Sequence, residues 1–469
     1  MNNIDGAHVM LRSIWKQWRR LQPCQNKQME EIVKLLAKPI VGLAAIALGC
    51  LTGVSPSIAA QADASIHHVS SEVCANCHQE IYKQWQGSMH SSSTALADPI
   101  HATFYKKVAG DPTAEGVKHQ ASGKYPVCLQ CHAPNAAKDE TTKLDAMAAY
   151  SEGVNCVACH TLKAYKGIKG DDGKLRLGLK AYEVADTIQA PAGINNGLAQ
   201  LASASDDLFG GVGVGGEESQ KPNPHLGEPV EYEGKEIPAL PMEGNPRLMK
   251  TSDACMGCHD QRDNPHGVPL CQTGNEYIDS KTNVNCLSCH MPVSGGIADH
   301  SMGGGHNQDI LKRSVVFDVD TVPDGDVLKT SVYIKNQQPH AMPTGAPFRN
   351  IYVKLTAYDA NGEPVWQNAD GHPAKEDPQA YLSYALEDDQ GMPAPPPTAT
   401  KAGADTRLKP HEARTLEYEI PAQGVALVRG ELYYNLLWPG LVQKFSHLPD
   451  DVKEPALIAV SEQPVSAAD

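Results

Sequence analysis

From about residue 311 onward, short runs of β-branched and aromatic residues often alternate with polar ones, and the alternation predicts β-strands. The runs are Ser314–Val319, Leu328–Lys335, Asn350–Tyr358, Glu363–Asn368, Tyr381–Leu386, Arg414–Ile420 and Ala426–Leu437. Turn sequences such as Asp359-Ala360-Asn361-Gly362 separate them. Seven short strands in about 150 residues predict a C-terminal all-β sandwich of immunoglobulin-like build over residues 311–469. Met392–Pro397, with four prolines, reads as an exposed crossing between strands. Residues 63–310 read instead as short helices and loops. Within them, residues 190–246 are rich in proline and contain the run Gly210-Gly211-Val212-Gly213-Val214-Gly215-Gly216, which predicts a long loop.

The one long apolar stretch lies near the start. Residues 40–54 form an apolar core preceded by Lys34 and Lys38 and followed by small residues ending in Ala59-Ala60-Gln61-Ala62. This is the pattern of a secretory signal, with cleavage expected near Ala62. The core is short for a membrane span of about 20 residues, and Ser55-Pro56-Ser57 closes it. Met29 would make a more ordinary start than Met1. Arg19-Arg20 lie far from the apolar core, and Leu48 is large for a lipoprotein site at Cys50. No other run of 18 apolar residues exists, so the mature chain is expected to be soluble, with no permanent membrane span, in the periplasm or outside the cell.

Composition sharpens this reading. Phenylalanine is scarce at 5, while glycine and proline number 40 and 34, which suits loops laid on flat apolar cofactors better than a conventional core. The first 62 residues hold seven Lys/Arg and three Asp/Glu, leaving 33 Lys/Arg against 52 Asp/Glu, a net charge of −19. Such a surface excludes nucleic acid as a partner and suits redox partner proteins of basic character.

The chemistry is carried by five copies of Cys-x-x-Cys-His: Cys74/Cys77/His78, Cys128/Cys131/His132, Cys156/Cys159/His160, Cys255/Cys258/His259 and Cys286/Cys289/His290. This is the attachment signature of a c-type haem: two thioethers to the porphyrin, with the next histidine bound to iron. Ten of the 13 cysteines are used in this way. Zinc sites take cysteines in fours and need no histidine directly after each pair, and a thioredoxin-like redox site needs one pair. Five covalently bound haems are therefore expected, all within residues 63–310. The second and third motifs are close in sequence, as are the fourth and fifth, and each couple is expected to pack locally. In the mature chain Cys271 is left over, and burial beside a haem is expected for it.

Each iron needs a ligand on its second side. Outside the motifs and the signal segment, 13 histidines remain for five positions. His90, His225, His300, His306 and His340 stand in the most suggestive contexts. They rank above His67, His68, His101, His119, His266, His372, His411 and His447. Met89, Met302 and Met342 adjoin candidate histidines and offer a His/Met alternative.

A resemblance enters on these residues. Ser71–His78 with Trp85, Ser88 and His90 resembles the opening of the multihaem cytochromes grouped with the nitrifiers' tetrahaem electron acceptor of hydroxylamine oxidoreductase. Gly153–Cys156 with Cys159-His160-Thr161 is similar too, as are Ser252 with Cys255–His259, Glu276-Tyr277, and Cys286–Pro292. His340-x-x-Pro343-Thr344-Gly345 resembles an element of the β-domain that often ends larger members. The resemblance spans most of residues 70–450. It implies electron transfer, mostly bis-histidine iron, and a β-domain loop that lends one ligand. It supports His90, His225, His300 and His340 one by one, and His306 less. The chain departs from the pattern in having five haems rather than four, and in its added β-domain.

Six-coordinate haem has no open site for substrate, so the expected role is electron carriage rather than catalysis. Two other readings stand beside it. One is an oxidoreductase acting on a small nitrogen or sulfur compound at one open haem. The absence of a Cys-x-x-Cys-Lys motif weakens its nitrite-reductase form. The other is a self-assembling subunit of an extracellular cytochrome filament.

Overall fold

The structure is a computed structural model that describes residues 65–193 and 222–465. The expected signal segment, residues 1–62, lies outside the described residues, as does the glycine run 210–216. The described residues belong to one compact unit.

The part that carries the motifs is built from short pieces. Among its helices are α1 (Gln79–Gln86), α2 (Pro99–Val108), α3 (Asp253–His259) and α4 (Thr273–Asp279). Its extended segments pair as two-stranded ladders, such as Leu162–Tyr165 with Tyr182–Val184. The described ends of the predicted long loop are more ordered than a bare loop. Ile188–Ala190 pairs in parallel with Met242–Gly244, and Val230–Tyr232 forms a hairpin with Lys235–Ile237. No helix among the described residues is long and apolar enough to cross a membrane.

The α5 helix (Gln308–Arg313), capped by the Asn307 side chain at Ile310 N, leads into the strands. These are β1 (Val315–Asp324), β2 (Val327–Asn336), β3 (Asn350–Tyr358), β4 (Pro364–Gln367), β5 (Tyr381–Glu387), β6 (Lys401–Asp405), β7 (Ala413–Pro421), β8 (Leu427–Asn435) and β9 (Ala456–Pro464). All pairings are antiparallel. One sheet runs β1-β2-β7. The other runs β6-β5-β3-β8-β9, with β4 beside one end of β3. The register pairs Val319 with Val332 and Val332 with Leu416 in the first sheet, and Val353 with Leu432 in the second.

Alternate residues of β2, namely Leu328, Thr330, Val332, Ile334 and Asn336, are buried, as the two-residue period of a strand requires. The apolar ones share one core with Ile351, Val353, Leu355, Val428 and Leu432 of the other sheet. Gly430 lets the sheets approach, since a Cβ there would meet Val319 Cγ2 at 2.5 Å and the Phe317 ring at 3.0 Å.

Two strands were not expected from the sequence. β6 reads Lys-Ala-Gly-Ala-Asp, with no β-branched residue, and β9 pairs only along the β8 edge. Tertiary pairing holds both where local propensity does not. The proline crossing also differs from the reading above. Ala394, Pro396 and Ala399 are at least half-buried, because Asn264 Nδ2 donates to the carbonyls of Pro396 (2.9 Å) and Ala399 (2.7 Å). A small core of Val268, Tyr384, Leu386, Ala394 and Ala399 forms there, joining the strand part to the motif part.

Candidate metal centres

Each motif is a helical turn, and two show clearly how their neighbours begin it. Asn155 Oδ1 accepts from Ala158 N (3.0 Å) and so starts Cys156–His160. Asn285 Oδ1 accepts from Ser288 N (2.9 Å) and starts Cys286–His290. Two motif couples share one construction. Ser71, three residues before Cys74, accepts from Cys156 N at 3.4 Å, and Ser252, three residues before Cys255, accepts from Cys286 N at 3.1 Å. The sulfurs follow. Cys74 lies beside Cys156, and Cys255 beside Cys286. A third sulfur contact joins Cys131 to Cys258, with the half-buried Arg262 guanidinium against both.

The motifs are therefore coupled first to third, fourth to fifth, and second to fourth. The fourth–fifth couple is the one expected from spacing. The second motif reaches the fourth and also keeps contact with its sequence neighbour: Asn135, just past the second motif, donates from Nδ2 to Oδ1 of Asn155, the cap of the third (2.9 Å), and Gly178 packs on the backbone of Gln130. A Cβ at Gly178 (φ +57) would overlap the Gln130 carbonyl. Cys159 lies close enough to Cys255 and Cys258 to act on both, which links the third motif to the fourth.

The ten motif cysteines differ in exposure. Cys77 and Cys289 are exposed, whereas the other eight are partly covered. The first and fifth motifs join their neighbours through their leading cysteines, Cys74 and Cys286. The inner motifs are covered differently: Cys131 and Cys258 shield each other, and Cys159 adjoins Cys255. Cys77 and Cys289 thus differ from the other anchors in environment, standing at the solvent edge.

Four motif histidines face a second imidazole. Ring centres are 6.0 Å apart for His78 and His225, 6.0 Å for His259 and His90, 6.4 Å for His160 and His300, and 6.4 Å for His290 and His340. Two imidazoles on opposite sides of one metal, at about 2 Å per metal–nitrogen bond, place their ring centres about 6 Å apart.

The fifth case differs. His132 is accompanied by His101 at only 4.2 Å, too close for an iron between them, and the Nδ1 atoms of both rings bond the Ser93 carbonyl (3.0 and 2.8 Å). Of the candidates named from the sequence, His90, His225, His300 and His340 are thus brought to motif histidines. His306 is not: it is exposed and faces no motif histidine among the described residues. His101, ranked low from the sequence, lies beside His132. The pattern Asp98-Pro99 at a helix start, with a histidine in its first turn, was its only local signal.

The facing rings are held by backbone. Nδ1 donates to a carbonyl in His160 (Gln189, 2.9 Å), His290 (Gly303, 2.6 Å), His225 (Leu240, 2.9 Å), His300 (Ala298, 2.7 Å) and His340 (Ala341, 3.0 Å). A carbonyl can only accept, so each ring carries its proton on Nδ1 and keeps the Nε2 lone pair for a metal. His90 is the exception, with Nδ1 2.8 Å from Met302 Sδ. Met302 therefore backs a histidine rather than replacing it. Met342 is buried against Ser314, and Met89 is exposed.

The Trp85 indole N–H binds the Val154 carbonyl (2.9 Å), Ser88 Oγ accepts from His90 N (3.2 Å), and Val154 N donates to the His90 carbonyl (2.9 Å). These contacts place His90. Burial pushes His90 down to about 4 and His259 to about 3, so both rings are neutral at pH 7, the form that binds metal.

His340 comes from the loop between β2 and β3. Asn336, fully buried at the end of β2, donates to the His340 carbonyl (2.7 Å) and the Lys409 carbonyl (2.9 Å). From the motif part, Glu276 on α4 reaches into the same loop. Its Oε2 accepts from Ala341 N (3.1 Å) and Thr344 Oγ1 (2.6 Å), and its Oε1 pairs with Arg407 at 2.8 Å. Arg407 forks onto Asp405 with two bonds of 2.8 Å. Cys271 is half-buried in a short ladder, 3.6 Å from Thr273 Oγ1. Arg262 and Arg349 each keep a buried Nε with no partner among the described residues, which suits the carboxylates of a porphyrin.

Paired thiols and Nδ1-anchored imidazoles at metal-bridging separation define the chain as a c-type cytochrome, and the comparisons agree. The family model described as cytochrome c554 and c-prime matches residues 73–161. A pentahaem cytochrome c552 from Thermochromatium tepidum is 65% identical, with 86% of this chain and 100% of that chain covered and a TM-score of 0.79. The chain belongs to this family of multihaem c-type cytochromes, and its five motifs hold five covalently bound haems. A DUF1425 family member from Shewanella sp. pv-4 aligns at 17% identity over 26% of this chain and 74% of that one, but at a TM-score of 0.14 it carries no argument. No curated relative matches the chain significantly.

Proposed function

We propose that this protein is an exported electron carrier, related to the nitrifiers' tetrahaem acceptor, whose first, third, fourth and fifth motif histidines act with His225, His300, His90 and His340 as axial pairs. The four facing pairs at 6.0–6.4 Å carry this reading. A bound c-type haem supplies one-electron redox chemistry at a potential tuned by ligands, hydrogen bonds and burial. The chain's residues close both faces to substrate at these four positions. They also line the motifs in a row from first to third to fourth, with the second and fifth as branches. Such a row connects separate surface patches without large motion. The strand part, with one core between two antiparallel sheets, is read as immunoglobulin-like, and its contribution is the loop that presents His340. An apolar N-terminal core with an A-x-A-like end supports export to the periplasm or beyond. The net charge of −19 supports basic partners over most of the surface. Assembly into filaments has less support, because four ligand pairs are completed within one chain.

The second motif favours a further reading at one position only. His101 stands beside His132 rather than across from it, so this motif offers one imidazole and an unclaimed face. Carbon monoxide titration of the dithionite-reduced protein, read with low-temperature electron paramagnetic resonance, tests both statements. Four low-spin centres and one carbon monoxide per chain are expected. Binding at several haems would overturn the pairing. No binding at all would mean that the second motif is closed as well.

A further inference from the structure

The acidic surface has a basic exception next to the second motif. Helix α2 and the segment from α6 (Pro439–Lys444) to Pro449 form the walls of a groove of about 640 Å³. Its base includes the buried Phe445 and Leu448, and its rim carries Lys106, Lys107, Lys444 and His447. No carboxylate lines it, although Asp and Glu outnumber Lys and Arg in the chain by 55 to 40. Asp450, just beyond the groove, is taken up by Lys453 at 2.9 Å.

A lysine in the last turn of a helix complements that helix's dipole, which by itself explains each lysine locally. It does not explain why two such helix ends meet. Their meeting puts Lys107 against Lys444. Burial, together with the charge of Lys444, lowers the Lys107 pKa. Like charges held together are a local cost that an arriving anionic surface would offset.

Position adds a second argument. The helix that supplies Lys106 and Lys107 also carries His101, whose ring lies 4.2 Å from that of His132. Phe104 of the same helix packs on Phe445 at 5.4 Å between ring centres, which ties the two walls rigidly together. The second motif is also one of the three ends of the branched network of motif contacts, with the first and the fifth, and an end is where a carrier can meet another molecule. An apolar base within a charged rim is the usual anatomy of a protein docking patch.

We propose that this groove docks the acidic face of a second redox protein and that the second motif is the point of exchange with it. The inference rests on the electron-carrier reading above. Two partners of opposite surface charge, one on the broad acidic surface and one at the lysine groove, could then bind at the same time.

The test uses the mature pentahaem protein and, as probe, an acidic plant-type [2Fe–2S] ferredoxin. Binding is measured by calorimetry and electron exchange by stopped flow, both over a range of salt. Wild type is expected to bind with an affinity that falls as salt rises. Lys106→Glu/Lys107→Glu/Lys444→Glu should weaken binding about tenfold or more. Haem content and the five midpoint potentials should stay unchanged, and Lys312→Glu on the exposed face of α5 should behave as wild type. Equal loss in both variants, or no binding by wild type, would overturn docking at the groove. So would inorganic phosphate occupying the groove while ferredoxin ignores it. Exchange with a small mediator, methyl viologen, separates the two readings: if it persists while docking fails, the carrier reading stands, and if it is absent, that reading falls first.

Discussion

Glu276→Ala is expected to free His340 from its place opposite His290, adding a high-spin signal and one carbon monoxide site per chain to those of the wild type. The Glu276–Arg407 pair is well shielded, with both side chains 12% exposed. Removing one member of a buried pair costs about 3–5 kcal/mol. Asp405 still compensates Arg407, which places the loss near the lower end, about 3 kcal/mol. The loss is directed at one loop. Ala341 N and Thr344 Oγ1 both lose their acceptor, and these residues flank the turn that presents His340. Asn336 still holds the His340 carbonyl, so the loop should loosen rather than unfold. Glu276→Gln keeps an acceptor for the loop but not the charge, and an intermediate effect is expected. A merely structural role for Glu276 would lower the melting temperature and leave the haem spectrum alone. A double-mutant cycle with Arg407→Met should give a coupling of about 1–3 kcal/mol if the two act as a unit.

Gly257→Ala is expected to reduce haem content from five to four per chain by mass, with a clear loss of stability. On helix propensity alone the change should help, by about 1 kcal/mol in a helix interior. Packing decides otherwise. The new Cβ would overlap the Tyr182 ring, which is 2% exposed and cannot retreat. The Tyr182 hydroxyl accepts from Gly257 N at 2.8 Å and donates to the Asp253 or Ala254 carbonyl at 2.9 Å, which locks the ring against α3. Overpacking typically costs about 1–3 kcal/mol, and here the displaced element is α3 itself, which bears Cys255, Cys258 and His259. Because the fourth motif touches the second, third and fifth, its loss should also slow electron passage between the remaining haems. Gly304→Ala, where a Cβ meets nothing within 4 Å, is the matched control and should be silent. A Gly257→Ala protein with five haems and wild-type stability would contradict the packing argument.

Much of this molecule is legible in the chain because its chemistry is local. A c-type haem takes two cysteines and a histidine within five consecutive residues, so each attachment site is written in one helical turn. How far each anchor is covered is not written there: Cys77 and Cys289 share the motif of the other cysteines and still stand exposed. The strands of the C-terminal part are legible for a similar reason, since alternate burial along β2 leaves a two-residue period in the sequence. β6 and β9 escaped because one is made of small and charged residues and the other leans on a single neighbour. The covered proline crossing escaped because Asn264, far away in sequence, supplies its hydrogen bonds.

The facing histidines were legible only in part. His90, His225, His300 and His340 stand in distinctive contexts, yet nothing local states which motif each one faces. His306 shares the glycine-rich setting of His300 and still ends on the surface, while His101 looks ordinary and ends beside His132. The coupling of the first motif to the third left one trace, the repeated Ser-x-x-Cys and Val-Asn-Cys patterns around Ser71 and Asn155, and around Ser252 and Asn285.

From the amino-acid order alone follow the number of haems, their covalent anchors, one iron ligand apiece and a β-rich end. Which imidazole meets which, which motif lies against which, and where the lysines gather are settled only when distant segments pack. An iron's second ligand is recruited through space, across loops of any length, so no spacing along the chain can encode it.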